Sequence, residues 1–332
     1  MLIIPAVTEI GVNKMKRLAV TLFFVAIFSA TAFSQSPTLT ITCETSGLPC
    51  DLFYGSVKVK PVRLRPGTNT PITISDSDFF IQQQYIDFLK RFPEASCPPS
   101  QCGLDFYVPI LNGCGGDVEC LKYTRGALSA NFFRSPEFNG KGAYVANLWN
   151  AAFGHRPITA AELSTNTVDR PHYSEFFTDL AFISAPTDAE TNLKKDQLSA
   201  AFLTRTDIIN ALGGYTPSWT RDQLVHKLEQ IAGVTLANES ALINGSMTHA
   251  QILRAVAESS EVFNKFNKPN FVMMEYFGYL RRDPEDCHGA PDPNQCGFIF
   301  HNNRFNLSSD TDLIQNIIVR GFIESPEYIN RF

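Results

Sequence analysis

The residues of this chain most suited to acid–base chemistry are carboxylates gathered in two runs. Asp283, Glu285, Asp286 and Asp292 form one, and Asp310 and Asp312 the other, just before an apolar stretch. Two carboxyl groups about 5 to 9 Å apart in a cleft hydrolyse a glycosidic bond, one as acid and the other as base or nucleophile. In that reading the acid and base come from the loops around Glu285 and Asp310, and the substrate is an envelope polysaccharide or peptidoglycan. Calcium is a second use for such oxygens, but neither run has the Asp-x-Asp-x-Asp-Gly spacing of a calcium loop. Helix N-capping together with a solvated acidic face accounts for both runs without either chemistry, and it is preferred. No cofactor is expected.

The other familiar signatures are missing. The chain has no His-Glu-x-x-His, no Gly-x-Ser-x-Gly and no Walker loop. Its eight cysteines fall into four close pairs: Cys43 and Cys50, Cys97 and Cys102, Cys114 and Cys120, Cys287 and Cys296. An even count without strays reads as a disulfide framework, although eight cysteines formally allow about 105 pairings. Zinc is the rival, with Cys287, His288, Cys296 and His301 as ligands. The spacing lacks the tight paired-ligand form of structural zinc sites, and the Cys97–Cys102 loop has no matching histidine. His155 and His301 read as structural or solvated. Tyr85, Phe88, Tyr276 and Tyr279 lie at helical spacing and read as core, whereas the less periodic Tyr107, Trp219 and Phe298 are the better candidates for a surface aromatic contact.

These residues sit in a chain that repeats itself. Asn131-Phe132-Phe133-Arg134-Ser135-Pro136-Glu137-Phe138 returns as Gly321-Phe322-Ile323-Glu324-Ser325-Pro326-Glu327-Tyr328. Two worn copies lie between them, around Phe202 and Val256. The spacing reads as four degenerate helical units, at about 79–140, 144–210, 221–268 and 271–332, packed as one all-α body. In each Ser-Pro-Glu corner serine caps, proline takes the first helical position and the acid faces the positive end of the helix dipole. Glu137 and Glu327 are therefore structural. Cys97 and Cys102 occupy the loop of the first unit that Cys287 and Cys296 occupy in the last, so each loop is expected to close on itself.

Within the first unit, Asp76 to Asp78 offer caps to a helix striped by Ile81, Tyr85, Phe88 and Leu89, and Arg91-Phe92-Pro93 stops it. A short second helix opens at Gly103, and a third runs from Leu121 to Phe133. The last unit matches closely: Tyr276 to Pro284 aligns with Tyr85 to Pro93, so Tyr276, Arg282 and Pro284 stand where Tyr85, Arg91 and Pro93 stand. Residues 76–332 thus form the helical domain. Residues 35–75 read as a short β-rich lead-in clipped by Cys43 and Cys50, from the alternation in Thr38–Thr42 and Val57–Lys60.

Residues 1–34 read as a signal peptide. Lys14, Lys16 and Arg17 precede the apolar run Leu18–Ala30 and a small-x-small site ending at Ser34. Removing them takes away three cations and one anion, so the net charge of −5 becomes more acidic still. An acidic chain without a basic cluster is a poor polyanion binder, which argues against nucleic acid. No later segment is long and apolar enough to span a membrane.

The pattern Tyr85-x-Asp87-Phe88-Leu89-x-Arg91-x-Pro93, then Gly103-Leu104-x-x-Tyr107 and Phe132-x-x-Ser135-x-Glu137-Phe138, resembles the bacterial domain of unknown function 4214 (DUF 4214) family. The loop Cys114-Gly115-Gly116-Asp117-Val118-Glu119-Cys120 is similar to that of its secreted acidobacterial-type members. The resemblance covers about residues 79–332 and departs where Phe92 replaces an acidic residue and cysteine loops are inserted. It implies an α-helical module of exported and cell-surface proteins, with no catalytic set. The expectation is an exported, disulfide-clipped helical protein that binds or organises cell-envelope protein or glycan without catalysis, in the periplasm, at the cell surface or outside the cell.

Overall fold

The computed structural model describes residues 39–42, 51–54, 57–59, 63–64, 70–94, 103–165, 168–285 and 296–332. They fall into two compact units, residues 39–42 with 51–59 in one and residues 63 onward in the other. In the first, strands β1 (Leu39–Thr42), β2 (Asp51–Tyr54) and β3 (Val57–Val59) pair antiparallel in chain order, with Leu39 opposite Tyr54 and Leu52 opposite Val59. The expected Cys43–Cys50 clip lies outside the described residues.

The second unit begins with a short antiparallel pair, β4 (Arg63–Leu64) and β5 (Pro71–Ile72), and is then helical. Helix α1 (Ser77–Gln84) continues into a π-helical turn at Tyr85–Leu89. Next come α2 (Gly103–Asn112), α3 (Val118–Arg134) and the single turn α4 (Pro136–Phe138), which a π turn at Asn139–Ala143 joins to α5 (Tyr144–Ala152). Helices α6 (Ala160–Leu163), α7 (Tyr173–Ile183), α8 (Asp188–Phe202) and α9 (Thr206–Ala211) follow. Then come α10 (Arg221–Ala232), α11 (Glu239–Asn244), α12 (His249–Ala257) and α13 (Ser260–Glu275), the last running into a second π turn at Tyr276–Leu280. The chain closes with α14 (Gly297–Arg304), α15 (Thr311–Ile323) and α16 (Pro326–Ile329). Among the described residues no helix is long and apolar enough to cross a membrane.

Local chemistry accounts for most of these boundaries. Asp117 accepts from the amides of Glu119 and Cys120 at the start of α3, three residues earlier than the apolar stripe indicates. Thr220 and Gln223 form a capping box on α10, and Thr248 and Gln251 form another on α12. Two details depart from the sequence reading. Asp76 stands at the N-cap of α1, yet its carboxylate accepts from Thr73 N–H at 2.7 Å and makes no cap bond. The helix also stops before Pro93: the π turn ends in Lys90 at φ 56°, and Arg281 at φ 54° does the same before Pro284. A left-handed conformation at a non-glycine residue is uncommon, so its occurrence at both matched positions marks one backbone device used twice.

The core is built on the expected stripes. Phe132, Phe202, Val256 and Phe322, the matched apolar positions of the repeat, are all buried, as are Tyr85, Phe88, Tyr276 and Tyr279. Helix α3 packs most extensively on α15, and α12 packs on both α8 and α5. The α3–α15 contact is close because Gly126 faces Asn316, whose buried amide donates to the Tyr123 carbonyl at 2.8 Å.

Polar groups share this interior. Asp87 is fully buried and accepts from Gln83 Nε2 at 2.9 Å and Arg331 Nη2 at 3.0 Å, with Arg281 Nη2 at 3.5 Å. Ser129, Tyr279 and Gln84 hydrogen-bond one another beside it. Trp149, fully buried, donates its indole N–H to Asp179 at 2.9 Å, and Arg205 holds the same carboxylate. A buried carboxylate needs such partners because its desolvation is otherwise uncompensated.

Candidate functional site

The residues of the repeat motif assemble into two matching clamps. Arg91 Nε and Nη2 donate to Glu137 Oε1 and Oε2 at 2.8 and 2.7 Å, and Nη2 also reaches Glu94 at 2.7 Å. In the last unit Arg282 Nε and Nη2 donate to Glu327 at 2.6 and 3.1 Å, and Nη2 donates to Glu285 at 2.9 Å. Each guanidinium also lies over a tyrosine, Arg91 at 5.0 Å from the Tyr85 ring and Arg282 at 5.3 Å from that of Tyr276. Ser135 and Ser325 cap identically: each accepts from the amide three residues on at 3.1 Å and donates to the carbonyl three residues back at 2.7 Å. The left-handed Lys90 and Arg281 immediately precede these arginines. The motif is thus a bidentate corner that fixes one helix end to the start of another.

Among the described residues, the carboxylates considered for hydrolysis are engaged in ion pairs and caps. Burial alone would raise Glu285, but its own backbone amide and Arg282 outweigh it and hold the carboxyl below the usual range. A general acid at neutral pH needs the opposite shift. Asp310 caps α15 through Leu313 N–H at 3.0 Å, Asp312 pairs with Arg134, and Asp283 accepts from His172 Nδ1 at 2.9 Å and from Tyr173 N–H at the start of α7. Asp286 and Asp292 lie outside the described residues. So do Cys97, Cys102, Cys287 and His288. Cys114 and Cys120 are joined in a disulfide, and Cys296 is disulfide-bonded as well, which leaves no thiolate there for zinc. His301 packs among Tyr276, Phe300 and Phe322, and burial lowers it to about 4.

The three aromatics singled out for a surface role separate. Phe298 is buried, a departure from the reading of it as a surface residue, because α14 turns it into the core. Tyr107 is half-buried and packs on Tyr85 and Phe132. Trp219, half-buried too, lines an open groove of about 800 Å³.

That groove is made by the end of α8 (Leu203, Thr204), the loop before α10 (Tyr215, Pro217, Trp219), the first turn of α10 (Arg221, Asp222) and the α11–α12 junction (Met247, His249). Its walls are pinned. Tyr215 and Trp219 meet edge to face at 5.5 Å, and the Tyr215 hydroxyl hydrogen-bonds His249 Nδ1 at 2.8 Å. Burial, then the nearby Arg221, lowers the His249 pKa, while a hydrogen bond to the Trp219 backbone opposes them. The His249 ring therefore ties the Tyr215 hydroxyl to the Trp219 backbone. Arg221 Nε donates to the Met247 carbonyl at 2.9 Å and so fastens the groove's far wall. The groove offers the half-buried Trp219, a fixed cation and an exposed carboxylate.

Comparison with protein-family models, with characterised proteins and with solved structures finds no match.

Proposed function

We propose that the chain is an exported, non-catalytic binding module that holds a glycan segment of the cell envelope in the groove beside Trp219. The observation that carries this reading is the groove itself. Its aromatic pair is locked by His249, Arg221 and Asp222 line it as well, and Glu285 and Asp310, the carboxylates invoked for hydrolysis, are committed to an ion pair and a helix cap elsewhere. Aromatic residues combine a large apolar face with polar neighbours, the chemistry a sugar ring presents from its two sides.

The wider picture belongs to the same proposal. Residues 1–34 act as the export signal and residues 35–75 as a β-rich lead-in. Four units then make one body, a reading supported in the first and last by the left-handed Lys90 and Arg281 at matched places. Kinship with the DUF 4214 family rests on the motifs alone. Catalysis by Glu285 and Asp310 has no observation in its favour.

The test is co-sedimentation of residues 35–332 with isolated envelope fractions. Saturable binding to a glycan fraction, weakened at least tenfold by Trp219→Ala with the helical circular dichroism intact, is the expected result. Binding abolished by protease treatment of the fraction assigns a protein ligand instead. No saturable binding to any fraction overturns the reading.

A further inference from the structure

A second group of side chains lies next to the groove and does different chemistry. His226 stands on α10 with Asp222 one turn before it and Glu229 one turn after, and Glu239 opens α11 beside them. His226 Nδ1 is 3.4 Å from Glu229 Oε2 and 3.4 Å from Glu239 Oε1, while Nε2 is 3.4 Å from Asp222 Oδ1. One ligating atom from each of His226, Glu229 and Glu239 lies within 4.8 Å of the others.

From these distances we infer that His226, Glu229 and Glu239 bind a divalent cation of the zinc type, with water completing its coordination. Ligands about 2.0 to 2.1 Å from a tetrahedral ion stand about 3.4 Å from one another. Both nitrogen-to-carboxylate separations equal that edge. The set also contains the nitrogen donor that selects a zinc-like ion over calcium or magnesium, which take oxygen alone.

Two features outside the three donors bear on the assignment. Glu229 is held from behind: its Oε1 accepts from Leu236 N–H at 2.7 Å, which leaves Oε2 turned toward His226. Asp222 faces the opposite ring nitrogen, the place of the outer carboxylate in a carboxylate–histidine–metal arrangement, where it fixes the tautomer and the ring plane. The backbone brings the donors together through left-handed Gly233, which ends α10 and sends the chain back so that α11 begins beside it. The bound cation would tie α10 to α11. This site shares Asp222 with the groove, and its assignment does not rest on what the groove binds.

The experiment is isothermal titration of the chelator-stripped full chain with zinc chloride, with calcium chloride as a control, together with thermal unfolding with and without zinc. One zinc per chain is expected, unaffected by excess calcium, with a rise in Tm on zinc addition. His226→Ala and Glu239→Gln are expected to lower the affinity at least tenfold and abolish the Tm shift. Asp222→Asn is expected to lower affinity about tenfold through the orientation of His226. Should His226→Ala fail to fold, Glu239→Gln and Asp222→Asn carry the test. Absence of saturable zinc binding, or binding that survives both His226→Ala and Glu239→Gln, overturns the inference and leaves the cluster an imidazolium among carboxylates.

Discussion

Asp87 shows how much one side chain decides here. It sits in the middle of the motif that begins at Tyr85, and its matched position in the last unit is Gly278, so the two copies do not share it. Fully buried, it accepts from Arg331 and lies near Arg281, while Arg331 also donates to the Gly278 carbonyl at 3.1 Å. Removing one partner of a buried ion pair strands the other, so Asp87→Asn is expected to cost about 3 kcal/mol in urea unfolding. Two further residues set opposite pH responses. His301 is held at about 4 by burial, so between its ordinary value of about 6.5 and pH 4 the unfolded chain takes up a proton that the folded chain refuses. Stability therefore falls as the pH drops through that window. Glu275 is fully buried with neither oxygen hydrogen-bonded, and burial raises its pKa well above the usual range. The unfolded chain loses that proton first, so this contribution is lost as pH rises above about 4.5. Urea midpoints from pH 4.5 to 8 are expected to show His301→Phe flattening the acid limb and Glu275→Gln the alkaline one.

At the scale of elements, the helix ends carry the organisation. The clamps of Arg91 and Arg282 are half-exposed, so each contributes modestly to stability, about 1 kcal/mol; their larger effect is on direction. A left-handed residue, a bidentate arginine and a Ser-Pro-Glu start together set the angle at which one helix follows another. The groove depends on helix starts too, since the capping residues Thr220 and Thr248 line it. The most sensitive helix contact is α3 on α15. A Cβ at position 126 would lie 2.8 Å from Asn316 Oδ1, and Asn316 is held by its bond to Tyr123. Alanine in a helix gains about 1 kcal/mol over glycine, but overpacking costs about 1 to 3. Gly126→Ala is therefore expected to destabilise by about 1 kcal/mol in chemical denaturation, against the usual sign of this substitution.

Over the helical unit as a whole, the consequence of α3 packing on α15 is that early and late segments of sequence share one core. An open solenoid has only neighbour contacts and can fray from either end. Here Phe88 meets Tyr279 edge to face at 5.3 Å and Phe133 meets Phe271 at 4.8 Å, so the ends stabilise each other. The helical unit is expected to unfold in one cooperative step, with far-ultraviolet circular dichroism and tryptophan fluorescence giving coincident midpoints. Since Trp149 is buried between Asp179 and Phe202 and Trp219 lies in the groove, fluorescence reports on both the core and the rim. Separate midpoints would show instead that the middle of the chain is stable by itself.

The sequence by itself determined the helical class, the Ser-Pro-Glu corners, the buried aromatic stripes and the Cys114–Cys120 disulfide, because each of these is decided within a few residues by periodicity, capping or loop closure. It also marks Trp219 as an aromatic without a helical stripe, and that residue lines the groove. Its reading of Phe298 as a surface residue failed because a short helix was set against the core by partners far along the chain. Only the tertiary structure decided that Asp87 meets Arg331, that Arg91 and Arg282 each hold a glutamate, and that segments from α8 to α12 line one groove. No local pattern encodes such meetings; they follow from which helix faces are pressed together when the apolar stripes are buried.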